Sequence, residues 1–73
     1  MKSEHEARVK QYSEDARGAK AILMFGTDDG KVLRATYVPR DAREAGVLMN
    51  AQLSHQNIKV IYDNMTKTVQ VVL

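Results

Sequence analysis

The chain has 73 residues, no cysteine, two histidines and a net charge of +2. A length of that order makes one domain with a thin core, and no disulfide can brace it. The slight charge lacks the clustered basic stripe of a dedicated duplex binder. Small domains commonly need a staple. His5 and His55 lie far apart in the chain, so a local metal site is not expected and a second subunit is the staple that remains.

Residues 1–18 are charged and carry no apolar stretch, so no secretory leader is expected. No run approaches the roughly 18 apolar residues of a spanning helix. The expected setting is soluble and cytoplasmic, without a membrane partner. The missing cysteine fits a reducing compartment.

Ser3 to Arg17 predicts a helix. Ser3 followed by Glu6 reads as a capping box. Glu4–Arg8 and Glu6–Lys10 are i, i+4 pairs in the favoured orientation. Gly18 supplies a left-handed stop. The apolar stripe is narrow, with only Val9, Tyr12 and Ala16 after His5, so this helix is expected to be peripheral.

Ala19 to Thr27 predicts a strand, and Thr27-Asp28-Asp29-Gly30 a turn in which Gly takes positive φ. Lys31 to Val38 predicts the second strand, ended by Pro39, which has no N–H for a ladder. Asp41 to about Gln56 predicts a helix whose apolar face is Ala42, Ala45, Leu48, Met49 and Leu53. Gly46 is unfavourable in a helix, which suggests close packing on the sheet there. Ile58 to Tyr62 predicts a third strand, Asp63-Asn64-Met65 a turn, and Thr66 to Leu73 a fourth strand.

The expected fold class is therefore α+β: one domain over 1–73, ordered α-β-β-α-β-β, with a peripheral helix at 1–18 and a hairpin-helix-hairpin core at 19–73. That is the order of a circularly permuted ferredoxin-like fold. It places the two hairpins side by side, helices on one face, and the second and fourth strands central and parallel.

Side-chain parity carries the functional expectation, because successive strand residues point to opposite faces. One set is Ala21, Leu23, Phe25; Leu33, Ala35, Tyr37; Ile58, Val60, Tyr62; Val69, Val71, Leu73. It is almost wholly apolar and belongs under the helices. The other contains Lys20, Ile22, Met24, Val32, Arg34, Thr36, Lys59, Ile61 and Val72. Its mixture of apolar and polar residues is unusual for a face that meets only water. Ile22, Met24, Val32, Arg34, Thr36, Ile61 and Val72 are therefore the candidate protein interface.

The expected function is a small non-enzymatic binding or regulatory protein. It would act through that open face, as a homodimer or on a partner protein, for example as inhibitor of a larger complex. The alternative is a nucleic-acid module using Arg34, Arg43 and Lys59, although the aromatics that would stack bases fall on the core face. An enzyme is not expected. Asp28-Asp29-Gly30 reads as a turn, not a cation loop. His5 reads as a surface helical residue, and His55 as a helix C-terminal one facing the dipole. The glycines at 18, 26, 30 and 46 are isolated and form no phosphate loop. No catalytic, cofactor or metal residue is assigned.

Overall fold

The computed structural model describes residues 2–73. It contains five strands and one helix: β1 (Lys2–Asp15), β2 (Gly18–Gly26), β3 (Val32–Tyr37), α1 (Ala42–Ser54), β4 (Asn57–Asp63) and β5 (Thr68–Val72). All pairings are antiparallel, in one curled sheet of order β3-β2-β1-β4-β5. The fold is mostly β, with a single helix on one face.

The expected first helix is a strand. Ser3 does not cap a helix; its Oγ lies 2.7 Å from His5 Nε2. Glu4 does not reach Arg8 but pairs across the sheet with Lys59, at 3.3 Å. Charged residues occupy positions 2, 4, 6, 8 and 10, while Ser3, His5, Ala7 and Val9 alternate with them. That is a period of two, which places Ala7 and Val9 in the core. Val9 pairs with Leu23 and Gln11 with Ile22, so Lys10 is an extra residue, a β-bulge. The bulge resets the phase and lets Tyr12 pack against the core on the same side as Val9.

Gly18 has φ +123°, as a left-handed stop requires, but it closes a hairpin. Asp15 pairs with Gly18 across Ala16-Arg17, and Asp15 Oδ1 accepts the Arg17 N–H at 2.8 Å. Positive φ at Gly serves a helix end and a bulged hairpin equally.

With β1 in the middle, the predicted sheet order fails. The two C-terminal hairpins flank β1, and the strands expected to be central and parallel, β3 and β5, are the two edges. The predicted pleat is observed. Ala21, Leu23, Phe25, Tyr37, Ile58, Val60 and Val71 are buried together, with Leu33, Ala35, Tyr62 and Val69 packed against them. Leu73 falls outside the strand and is 52% exposed.

Helix α1 starts where expected, at the N-cap Asp41, whose carboxylate accepts the Glu44 N–H at 2.9 Å. It ends at His55, which adopts a left-handed conformation (φ 57°) beyond the last turn. The buried face is rotated from the predicted one. Leu48 and Ala51 face β1 and β4, whereas Met49 and Leu53 are exposed, Leu53 at 74%.

Glu44 takes the place of an apolar residue in that face and is only 1% exposed. Its Oε1 accepts the Tyr37 hydroxyl (2.6 Å) and the Arg40 backbone N–H (2.9 Å). Its Oε2 accepts Arg40 Nε (2.9 Å) and Nη2 (2.6 Å). Four donors on one carboxylate satisfy the charge and fix the chain reversal from β3 through Pro39 into α1.

Gly46 does not pack on the sheet; a Cβ there would meet nothing within 4 Å. Gly46→Ala is therefore expected to stabilise the fold by about 0.5–1 kcal/mol, through helix propensity alone. A rise in the denaturant midpoint at constant slope is the check.

Candidate functional site

Among the described residues α1 packs on one face of the sheet, and strand register sets out the surface of the other. On β2 and β3, Ile22 lies beside Thr36, Met24 beside Arg34, and Gly26 beside Val32. On β4 and β5, Ile61 lies beside Gln70 and Lys59 beside Val72. The seven expected interface residues thus share one face. They do not form one patch.

Strand β1 runs between them. Its outward residues place Arg8 beside Met24, Glu4 beside Ile61 and Glu6 beside Lys59. This charged ridge separates Ile22, Met24, Val32, Arg34 and Thr36 from Ile61 and Val72. The alternating charges at positions 2–10 signal it, although the same residues also satisfy helix grammar. Ile22, Met24 and Ile61 are half-buried by their neighbours, while Val32 is 66% and Val72 37% exposed.

The two halves differ in charge. The β2–β3 half carries Lys20, Arg34 and the adjoining Arg8, and the residues paired with them across the strands include no acid. The β4 half carries Glu4 and Glu6 beside Lys59. The exposed Glu4–Lys59 pair is worth little for stability, about 0–1 kcal/mol.

Of the residues expected to contact nucleic acid, Arg34 and Lys59 share the open face but lie on opposite sides of the ridge. Arg43 is exposed on α1, which packs on the other face. The three do not converge. The aromatics lie on the α1 side, as expected: Phe25 packs 5.4 Å from both His5 and Tyr62, centroid to centroid.

That side has a second feature. Helix α1 leaves the far end of the sheet uncovered, and a cleft of about 430 Å³ opens there. Ser3, His5, Leu33 and Tyr62 line it, with Lys31 and Lys67 from the two hairpin turns. His5 is thus half-buried on a strand, not on a helix surface. Asp28 and Asp29 reach the rim. Asp29 serves its own turn: Oδ1 accepts the Thr27 hydroxyl and, at 3.3 Å, the Lys31 N–H. The Thr27 hydroxyl, then the Lys31 N–H, hold the Asp29 carboxyl below its ordinary pKa. Among the described residues, no group of three or more His, Cys, Asp or Glu is placed to hold a metal ion.

No helix among the described residues is long and apolar enough to cross a membrane. Comparison of the chain with protein-family models, with curated proteins and with solved structures finds no match.

Proposed function

We propose that this chain is a small non-enzymatic binding protein that regulates or inhibits a protein partner through its uncovered sheet face. One observation carries this reading. Ile22, Met24 and Val32 form an apolar strip on β2–β3, rimmed by Arg8, Lys20 and Arg34, and α1 comes near it only at the Met24 and Arg8 end, where Ala51, Gln52 and His55 line a shared cleft. A strip of that kind fits a partner surface that is apolar at its centre and acidic at its edge.

The test is capture from cells of the native host, with the tagged chain compared with Ile22→Glu and Met24→Glu baits. A carboxylate buried in the contact is expected to reduce the captured partner at least tenfold, since about 1.4 kcal/mol suffices for that. The circular dichroism of each bait is expected to stay native, because both side chains lie outside the core. Undiminished capture by both variants would refute the assignment to this face.

A second reading draws on the same three cations. Arg8, Lys20 and Arg34 lie on one half-face without an acid paired to them, so a phosphate backbone is an alternative occupant. Three such contacts give a salt slope of about −2.7. Anisotropy with labelled RNA and DNA decides it. Binding that survives physiological salt and falls on Arg34→Ala would favour nucleic acid, and its absence favours the protein partner.

A further inference from the structure

We propose that β5 is a docking edge for a second copy of this chain, so that two sheets join into one of ten strands. This rests on the reading of the chain as a protein-binding protein and names one of its partners.

Both sheet edges carry backbone N–H and C=O groups that no strand pairs among the described residues, the Val71 N–H lying near the Tyr37 hydroxyl. They are not equally protected. A lysine precedes each, Lys31 and Lys67, but only β3 has a charge within it, Arg34, and a proline after it, Pro39, devices that discourage strand addition. Strand β5 reads Thr68-Val69-Gln70-Val71-Val72, with no charge, proline or glycine. Strand β4 covers one side of it, and among the described residues no strand pairs with the other.

The sequence of β5 is also self-complementary. In antiparallel pairing about a two-fold axis through Gln70, all five residues find partners: Thr68 faces Val72, Val69 faces Val71, and Gln70 faces its own copy. This register keeps like faces together. Val69 of each chain, only half-buried in the single subunit, gains the buried Val71 of the other as a cross-strand neighbour on the α1 side. On the open side Val72 meets Thr68, and Gln70, which lies beside Ile61, meets its own copy. No charged residue faces another charged residue within the paired strands. A closed two-fold contact of this kind is isologous and does not propagate into a fibre.

Sedimentation velocity over a wide concentration range is the test. The wild-type chain is expected to move from 8.2 kDa toward twice that mass as concentration rises. Gln70→Lys places two ammonium groups opposite each other across the axis, and Gln70→Glu two carboxylates. Each variant alone is expected to keep native circular dichroism and to associate at least tenfold more weakly. An equimolar mixture of the two is expected to restore the dimer, because opposite charges then face each other. A wild type that stays at 8.2 kDa at millimolar concentration would overturn the proposal. So would self-association that either Gln70 variant leaves unchanged, or two weakened variants that fail to restore each other. A monomer whose partner capture still depends on Met24 would refute β5 pairing and leave the open-face reading standing. The reverse pattern would refute that reading instead.

Discussion

Val60→Glu is expected to abolish folding, while Ile61→Glu, one residue on, leaves the subunit folded. Val60 has no exposed surface and sits between His5 on β1 and Val71 on β5, at the centre of the core. The substitution loses the burial of the valine, about 1.5–3 kcal/mol. It also places a carboxylate in the apolar core, a further several kcal/mol. The whole domain has about 4–11 kcal/mol to lose, at roughly 0.05–0.15 kcal/mol per residue over 73 residues. The two charges therefore fall on opposite sides of the folding threshold. Ile61 points to the open face between Glu4 and Gln70, where water can reach a carboxylate. Far-ultraviolet circular dichroism and a thermal melt check both. A cooperative melt for Val60→Glu with loss of structure for Ile61→Glu would invert the assignment of faces. Leu33→Glu belongs to an intermediate class, because Leu33 is half-buried at the mouth of the cleft.

The pleat of the four later strands is legible because it is a local property. Ala21, Leu23 and Phe25, or Ile58, Val60 and Tyr62, reveal their common side by alternation alone. Strand β1 is less legible because its local signals agree with two structures. Ser3 and Glu6, Glu4 and Arg8, and Gly18 all satisfy helix grammar. Charges at every second position from Lys2 to Lys10 satisfy strand grammar equally. What decides between them is non-local: β2 and β4 both have an open edge for β1 to fill, and Ala7 and Val9 complete their core. Pairing over such distances leaves no mark in a short stretch of sequence.

The bulge at Lys10 further obscures the alternation, since it moves Tyr12 out of the outward phase of Arg8 and Lys10 and onto the core side. The candidate site is affected in the same way. Its apolar members are legible from parity. The ridge of Glu4, Glu6 and Arg8 that divides them is not, because it belongs to the strand whose signals are ambiguous. The rotated face of α1 has a similar origin. An acid is expected outside, and the partners that bring Glu44 inside, Tyr37 and Arg40, precede the helix.

That buried carboxylate predicts how the fold responds to acid. The Arg40 guanidinium, the Tyr37 hydroxyl and the Arg40 N–H together hold the Glu44 pKa at about 2, against burial, which alone would raise it. A carboxylate whose folded pKa is depressed contributes stability that is fully present above its unfolded value near 4.5. The contribution is lost as pH falls from there through the folded value. Each pH unit between the unfolded and folded values is worth about 1.4 kcal/mol, so the contribution at neutral pH is on the order of 3 kcal/mol. Glu44→Gln keeps the shape but loses the charge, and four donors then meet a weaker acceptor that also brings an N–H₂ of its own. The variant is expected to lose about 2–3 kcal/mol at pH 7, in line with charge-assisted hydrogen bonds. It is also expected to lose most of the stability change between pH 4.5 and 2, where the wild type weakens. Tyr37 responds at the other end of the scale. Burial, then the hydrogen bond to Glu44, raise its pKa, so its contribution is present below pH 10 and is lost as pH rises through the folded value. Urea titrations of both chains at a series of acid pH values provide the measurement. Parallel stability curves for wild type and Glu44→Gln across that window would show that the carboxylate is not held in its charged form by Arg40 and Tyr37. Converging curves as pH falls would show that it is.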